Sequence, residues 1–516
     1  MAFTMSVAEV IAGDTTGLLA KHDSWERAPL AEVAEILNGA PFDSTLFSST
    51  AGTPLIRIRD VLSGETKTFY TGTYDDAYLA KQGDLLIGMD GDFNCGYWGP
   101  QLALLNQRVC KVTPNDSYYD KRFLAHVLPG YLAAINANTP SVTVKHLSSK
   151  TIGEIGLPLP PRAEQARIVT KLEELLSDLD AGVAELKAAQ RKLQQYRQSL
   201  LKAAMEGALT ASWREAQCTA NTLLETGSEL LERILRERRA RWEEKQLTKF
   251  RELGTPPPKN WQKKYPEPVA PDTTGLSALP EGWVWSTLSQ AGWLDRGRSK
   301  HRPRNAPHLY GGRYPFVQTG DIRHSDTFLS YVEATYSEAG LAQSRLWPVG
   351  TMCITIAANI GKTAILSMEA CFPDSVVGFL PGTDDVSVRY VEYFMRSAQQ
   401  KLEDEAPATA QKNINLEILE KVLIPIPPIQ EQNQIVEILN GALAAATENR
   451  LSIELSLKQS AAQRQNILRA AFAGQLVPQD SNDEPASVLL ERIRSERAAQ
   501  AATKKPRGRK KGAVAA

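Results

Sequence analysis

Apolar side chains recur at seven-residue intervals along one long stretch of the chain. Leucines occupy every seventh position from 172 to 200, and a matching but smaller and more polar series follows in the second half. A narrow apolar seam of this period is typical of a helix that packs against another helix. The pattern predicts two helices of about 40 residues, each roughly 60 Å long. The predicted seam residues are Leu172, Leu179, Leu186, Leu193, Leu200, Leu439, Ile453 and Ile467.

The two predicted helices belong to an internal repeat. LPLPPRAEQARIV begins at Leu157 and IPIPPIQEQNQIV begins at Ile424, 267 residues later, and the ends of the two helices match at the same offset. Each copy predicts a short strand, a proline turn and a helix whose first turn is acidic, which suits the helix dipole. Because a lone helix would leave its seam in water, we expect the two copies to pair. The alternative is that each helix packs on its own globular domain.

Mixed hydrophobic patterns before each repeat predict two globular α/β domains. In the first, residues 55–61 and 84–89 are strand-like and residues 120–135 predict a helix. In the second, residues 314–322 and 347–356 correspond to those two strands, with Pro315 aligned to Pro54 and Asp321 to Asp60. The whole chain is therefore expected to be a tandem duplication with pseudo-twofold symmetry, of the α+β class, with two mixed α/β domains separated by two long antiparallel coiled-coil helices.

The predicted organisation has seven parts. The charged segment from Ser228 to Leu253 predicts a helix with a solvated face, and a nucleic-acid surface is the alternative. The proline-rich segment after it predicts a stiff, extended linker. The parts are a lead-in (1–24), a first globular domain (25–156), a helical spacer with the charged helix (157–254), a proline-rich linker (255–279), a second globular domain (280–423), a second helical spacer (424–477), and a C-terminal helix with a basic tail (478–516).

Composition narrows the class of protein. Lysine plus arginine balance aspartate plus glutamate at 59 each, so a nucleic-acid partner is not indicated by net charge and would need local basic patches. The five cysteines include no CxxC pair, which disfavours a structural zinc site and fits a reducing compartment. The first 20 residues lack the features of a secretory signal and no apolar run is long enough to span a membrane. A cytoplasmic protein is expected.

The sequence predicts no catalytic constellation. The segment NIGKT, from Asn359 to Thr363, resembles the end of a phosphate-binding loop, but Ile356 stands where that loop needs a glycine. The proline pairs lack the preceding Asn or Asp of an amino-group methylation motif, and the six histidines form no helical pair with a nearby glutamate. We therefore expect no enzyme activity, no metal and no cofactor in this chain.

Binding chemistry is concentrated in one basic segment, from Asp295 to Tyr314. Its glycines and prolines predict a flexible loop whose cations could meet phosphates or guanine edges, although a solvated and silent loop is the alternative. Polar residues near strand ends could read bases, or could be ordinary surface residues. The DNA-binding candidates are Arg57, Arg59, Arg296, Arg298, Lys300, Arg302, Arg304, Arg313, Gln318 and Thr319. The tail KKPRGRKK, residues 504–511, resembles a minor-groove hook, with a solubilising tail as the alternative.

The doubled LPxPPxxEQxxIV motif, the paired α/β domains and the LPEGWVW segment at 279–285 resemble the specificity subunit of type I restriction-modification enzymes. The resemblance covers residues 25–479. It implies two target recognition domains that each read half of a split DNA sequence, held apart by helices that also bind methyltransferase subunits. It carries scaffold or partner-binding roles onto Pro160, Pro161, Glu164, Gln165, Pro427, Pro428, Glu431 and Gln432.

The same resemblance implies the partners. The first partner is double-stranded DNA. Methyltransferase subunits, of which two are expected, would carry S-adenosylmethionine and methylate adenine. Restriction subunits would use ATP and magnesium to translocate and cut DNA. No membrane is involved. Two other functions stay open at this point: a coiled-coil interaction scaffold without sequence-specific DNA binding, and the recognition part of a self-sufficient DNA methyltransferase.

Overall fold

The computed structural model describes residues 5–140, 145–220, 225–357, 359–383, 386–405 and 413–503. Two compact units make up the chain. The first unit comprises Met1–Lys187 and Glu454–Ala516, and the second unit comprises Ala188–Ile453. The predicted basic tail, residues 504–511, lies outside the described residues. None of the helices in the described ranges is long and apolar enough to cross a membrane.

The described elements alternate between short strands and helices of very different lengths. The helices are α1 (Val7–Ala12), α2 (Leu30–Val33), α3 (Lys121–Ala137), α4 (Ser149–Gly153), α5 (Arg162–Met205), α6 (Ala211–Thr219), α7 (Gly227–Glu252), α8 (Leu288–Ala291), α9 (Thr319–His324), α10 (Glu338–Ala342), α11 (Val388–Glu405), α12 (Leu416–Glu420), α13 (Ile429–Phe472) and α14 (Ala486–Thr503). The strands are β1 (Glu26–Pro29), β2 (Ala34–Asn38), β3 (Phe47–Ser48), β4 (Thr53–Ile56), β5 (Phe69–Tyr70), β6 (Leu79–Ala80), β7 (Leu85–Gly88), β8 (Cys95–Tyr97), β9 (Ala103–Leu105), β10 (Val109–Pro114), β11 (Gly156–Leu159), β12 (Val284–Thr287), β13 (Gly292–Arg296), β14 (Tyr310–Pro315), β15 (Phe328–Leu329), β16 (Thr335–Tyr336), β17 (Met352–Thr355), β18 (Thr363–Leu366), β19 (Val376–Pro381) and β20 (Leu423–Ile426).

The main sheets of the two units share one strand order. In the first, the strands of the main sheet follow the order β2-β10-β7-β8, and in the second the order is β13-β19-β17-β18 with β15 added at the edge. Each unit also has an antiparallel two-stranded sheet, β1 with β11 and β12 with β20, which joins the start of the globular domain to the segment before its long helix. The duplication predicted from the sequence therefore extends to strand order.

Local capping explains where several elements begin. The Asp120 carboxylate accepts from the backbone N–H groups of Arg122 and Phe123, so α3 starts at Lys121, one residue after the predicted start. The predicted strands 55–61 and 314–322 are too long. Each ends early, at Ile56 and Pro315, because the chain then turns into a short helix.

The long helices α5 and α13 are each 44 residues, close to the predicted 40. In the first unit, the Arg167 guanidinium donates 2.6 Å to the Asp483 carboxylate just beyond α13, and further along α5 Asp180 pairs with Arg464. Residue numbers in these contacts rise along α5 while they fall towards and along α13, so the two segments run antiparallel. Leu172 and Leu176 share a buried core with Ile467 and Phe472 in this unit, which confirms that the helices pack together.

In the second unit, the other halves of the two helices also pack together. Leu200 and Ala204 share a core with Leu439, Leu443 and Ile435. The predicted seam positions near the helix ends, Leu172, Leu200, Leu439 and Ile467, are buried, whereas Leu179, Leu186, Leu193 and Ile453 are half-exposed. The globular domains cover the seam near the helix ends, and two helices alone cannot shield it fully elsewhere.

The charged helix α7 and the C-terminal helix α14 occupy equivalent places. LLERI occurs at residues 230–234 in α7 and at 489–493 in α14, and its two leucines and isoleucine are buried in both copies. The α7 helix packs on α8 and β12 of the second unit, and α14 packs on α2 and β1 of the first. The helix α7 therefore packs on the domain that comes after it in sequence, and α14 packs on the first domain, not on the second domain that directly precedes it.

Candidate nucleic-acid interface

Polar residues follow β4 and β14 at matching positions of the two domains. Leu55 pairs in parallel with Leu104, and Phe316 pairs in parallel with Cys371 at the corresponding place of the second unit. Arg57 and Gln318 then stand at equivalent positions, directly before the short helical turns that follow. Both residues are exposed.

One acidic residue in each turn fixes this geometry. Asp60 accepts from the backbone N–H of Arg57 at 2.9 Å, and Asp321 accepts from that of Gln318 at 2.7 Å. The contact is the backbone half of a capping box, which orients the first residue of the turn. Of the neighbouring candidates, Arg59 is exposed beside Asp60, and Thr319 is half-buried as the first residue of α9.

The basic segment from Asp295 to Tyr314, which the sequence predicts to be a flexible loop, makes specific contacts with other parts of the second unit. Arg296 donates to the backbone carbonyl of Asp374, at 3.0 Å through Nε and 2.6 Å through Nη2, and both carboxylate oxygens of Asp374 accept from Arg304 at 2.9 Å. Arg302 donates to the Ser299 and His301 carbonyls. Asp374, which is distant in sequence, thus supplies the acceptors for Arg296 and Arg304 that the local sequence lacks.

Carboxylates also lie beside the remaining arginines of this segment. Arg313 donates to Glu338 at 3.0 Å, and Arg298 lies 4.0 Å from Asp295. Lys300 is exposed. The Arg304 and Arg313 side chains are 51% and 78% exposed, so water and salt weaken their ion pairs and a phosphate can replace the carboxylate.

A second arginine cluster, which sequence reasoning missed, lies where α11 meets α13. The Glu392 carboxylate is fully buried and accepts from Arg396, with Arg389 3.8 Å away, and burial raises the pKa of this carboxyl. Arg389 also donates to Asn440 on α13. Burial lowers the pKa of the Arg197 guanidinium on α5, and the like charge of Arg396 lowers it further. The spacing of Arg389, Glu392 and Arg396 on one helix face was the available signal.

The equivalent place in the first unit has different chemistry. Asn440 corresponds to Glu173, which accepts from Arg122 at 3.1 Å, and Arg197 corresponds to Arg464, which pairs with Asp180. Acidic side chains therefore balance the cations in the first unit, whereas arginines predominate in the second. The duplicated scaffold presents two electrostatically different surfaces.

The glutamates of the repeated Glu-Gln motif lie in the interior. In the second unit Glu431 is 1% exposed and accepts from the Trp283 indole at 2.8 Å, from the Thr210 hydroxyl at 2.6 Å and from the Arg214 guanidinium. Thr210 and Arg214 lie just beyond the end of α5, so one carboxylate joins the end of one long helix to the start of the other.

Glu164 has the same place in the first unit with different donors. It accepts from the Trp25 indole at 3.0 Å and from Gln479, which lies just beyond the end of α13. No guanidinium donates to it within the described residues, and burial raises the pKa of this carboxyl. Trp25 and Trp283 are therefore equivalent anchors, and the sequence signal for them was the position of each tryptophan at the start of its domain.

The motif glutamines close the joint from the domain side. Gln165 accepts from the backbone N–H of Asp120 at 2.7 Å and donates to the Pro160 carbonyl. In the second unit, Gln432 accepts from the backbone N–H of Ser387 at 3.1 Å and donates to the Pro427 carbonyl. The four prolines, Pro160, Pro161, Pro427 and Pro428, are buried as well. Internal contacts occupy these side chains, so a partner would have to bind other residues of the scaffold.

We expect the alanine substitution Glu431→Ala to destabilise the second unit by about 3 to 5 kcal/mol, because it leaves the Arg214 guanidinium without its buried acceptor. The matched change Glu164→Ala strands only neutral donors and should cost the first unit about 1 to 3 kcal/mol. Hydrogen-exchange mass spectrometry resolves the two units separately. Equal losses in both variants would contradict this difference.

The described residues contain no group of three histidine, cysteine or acidic side chains arranged to hold a metal ion. Burial raises the pKa of the Cys95 and Cys110 thiols to about 12, so neither forms a thiolate at neutral pH. The described surfaces offer exposed polar side chains at strand ends and arginines whose partners can be exchanged.

Comparison with known proteins places these features in a family. The family model described as "Type I restriction modification DNA specificity domain" matches residues 22–188 and 280–457. The specificity subunit of the EcoBI type I restriction enzyme of Escherichia coli is 33% identical over 530 residues, covering 98% of this chain and 99% of that protein. The EcoDI specificity subunit, also from Escherichia coli, is 24% identical, covering 75% of this chain and 78% of that one.

A solved structure shares the fold. It comes from work titled "Structural basis underlying complex assembly and conformational transition of the type I R-M system", and it has a TM-score of 0.60 at 17% identity, covering 87% of this chain and 98% of that chain. At this identity the likeness concerns the fold alone.

Proposed function

The chain belongs to the family of type I restriction-modification DNA specificity subunits, and from this premise we propose that each of its two domains reads one half of a split duplex-DNA target. A specificity subunit is the recognition component of such a system and leaves catalysis to other subunits. The family membership gives no support to a self-sufficient methyltransferase or to a scaffold that does not recognise DNA.

The observation that carries the bipartite reading is the equivalence of Arg57 and Gln318. They occupy the same position after matching strands, are fixed by matching aspartates, and have different side chains. An arginine presents a fork suited to guanine, and a glutamine amide is suited to adenine. Two equivalent domains with different reading groups on one chain would recognise an asymmetric target.

We propose the partners at the level of their chemistry. Methyltransferase subunits, two for the two domains, would bind S-adenosylmethionine and methylate adenine. Restriction subunits would use ATP and magnesium to translocate and cut the DNA. With the Glu-Gln motifs buried, the partner surfaces would use exposed residues of the scaffold.

The assembled methyltransferase tests the proposal. The chain is produced with its methyltransferase partners, and methylated adenines are mapped on genomic DNA that lacks prior methylation. We expect one target made of two defined half-sequences separated by a fixed unspecified gap. Methylation without sequence preference, or at an uninterrupted sequence, would refute the proposal.

Substitution of the two reading candidates should separate the halves. We expect Arg57→Ala to weaken discrimination at one base pair of the half read by the first domain by about 1 to 3 kcal/mol, and Gln318→Ala to do so in the other half. Methylation rates on duplexes with single base-pair changes measure both effects. Each variant is the control for the other, and an effect of either one on both halves would contradict the assignment.

A further inference from the structure

The second half of α7 and the proline-rich segment after it form a strongly basic part of a chain that is neutral overall. Residues 238–264 include nine lysines and arginines and three glutamates. We call this segment the basic arm. A concentration of positive charge within a neutral chain indicates a local electrostatic surface.

The basic arm is folded, so the predicted stiff, extended linker is wrong for this part. The chain after α7 forms a turn at Trp261–Lys264 and returns to the helix. Trp261 stacks on Trp242 of α7 with ring centroids 5.8 Å apart, and Phe250 meets Trp261 edge-on at 6.0 Å. Aromatic pairs of this kind stabilise a fold beyond the area that they bury.

A buried arginine fixes the base of the arm to the second domain. Arg238 is 5% exposed, its guanidinium lies 3.7 Å from the centroid of the Trp293 ring in β13, and it donates 2.8 Å to the Tyr265 hydroxyl. The arm is therefore a fixed extension of its unit.

The arm directs its other cations outward. Lys245, Lys249, Arg251, Lys259, Lys263 and Lys264 are all exposed. Within the described residues none of these six is paired with a carboxylate, in contrast to Arg239, which lies 3.2 Å from Glu243. The aromatic residues are used inside the arm, so the outer surface offers positive charge and no base-stacking platform.

The sequence repeats this charge after the second LLERI copy. Residues 504–511, KKPRGRKK, include six basic and no acidic residues, and counted from that copy they correspond to residues 245–252 of the arm. The tryptophans of the arm have no counterpart there. Positive charge is thus the feature common to both copies.

We propose that the basic arm, residues 238–264, binds the phosphate backbone of duplex DNA without reading its sequence. This inference rests on the proposed function, which makes DNA the polyanion that the complex binds. Each lysine or arginine that neutralises a phosphate releases counterions, so affinity falls with salt in proportion to the number of such contacts. The arm adds affinity on any sequence while the two domains select the target.

The test compares two double variants in the complete complex with its partner subunits. The arm variant is K245Q/K249Q. The matched control is K202Q/K421Q, which removes two exposed lysines that already lie near Glu206 and Glu417. Dissociation constants are measured across a salt series on duplexes with and without the target. A second arm variant, K263Q/K264Q, probes the returning segment independently.

We expect either arm variant to reduce the slope of log affinity against log salt by about 2, since each contact contributes about 0.9. Binding should weaken equally with and without the target, the methylated sequence should be unchanged, and the control should match the wild type. An unchanged slope would overturn the inference, and an unchanged slope with lost subunit assembly would assign the arm to a protein partner. A wild-type complex without target preference would instead refute the proposed function.

Discussion

Removal of one heptad from each long helix should shorten the preferred gap between the two half-sites. The residues to remove are 181–187 of α5 and 457–463 of α13, which face each other because Asp180 pairs with Arg464 in an antiparallel arrangement. Seven residues of helix correspond to about 10 Å of length, or at most about three base pairs. Because a heptad turns the helix surface by only about 20°, the apolar seam stays continuous.

We expect the shortened protein to stop methylating the original target and to prefer the same half-sequences at a gap one to three base pairs shorter. Methylation mapping of the complex measures the gap directly. As a control, removal of only residues 184–187 and 457–460 turns the seam by about 40° and should destabilise the helix pair. An unchanged gap in the heptad variant would disprove the spacer role of the helices.

Exchange of the second domain should replace one half of the target completely and leave the other half unchanged. The sequence alone suggests exchanging residues 280–423 with a relative of different specificity. Exchange of residues 288–422 is better, because it leaves the β12–β20 pair and the contact of Trp283 with Glu431 in place. Retaining these elements preserves the joint between the domain and the long helices.

Each mismatched base pair typically costs about 1 to 3 kcal/mol, so loss of a whole half-site should reduce methylation of the original target by on the order of 1,000-fold or more. Methylation mapping should then find the new half-sequence joined to the old one at the original gap. A change in both halves would show that the domains do not read independently. The reciprocal exchange in the first unit is the matched control.

The physical basis of these expectations differs between the scaffold and the reading surfaces. The long helices follow from a seven-residue apolar period, which is local in sequence and repeated often enough to outweigh single exceptions such as Ser460. The short strands are less well specified. The apolar run at 55–61 predicts a longer strand than β4, because capping of the next turn by Asp60 ends the extended segment at Ile56.

Charge was the least predictable property of the binding surfaces. The segment from Asp295 to Tyr314 contains no acidic residue after Asp295, yet Asp374 and Glu338 pair with its arginines. Conversely, α7 looks charge-balanced as a helix, but its second half and the returning linker form a cationic arm. Carboxylates distant in sequence decided the first outcome, and the return of Trp261 onto α7 decided the second.

The sequence by itself determined the duplication, the two long helices, the two α/β domains and the family, because these depend on local periodicity and on a motif repeated at constant spacing. Only the tertiary structure decided which elements join. It placed Thr210 and Arg214, beyond the end of α5, on Glu431 at the start of α13, and α7 on the domain that follows it. Contacts between residues more than 200 positions apart depend on packing and on satisfying buried polar groups, and no local pattern encodes them.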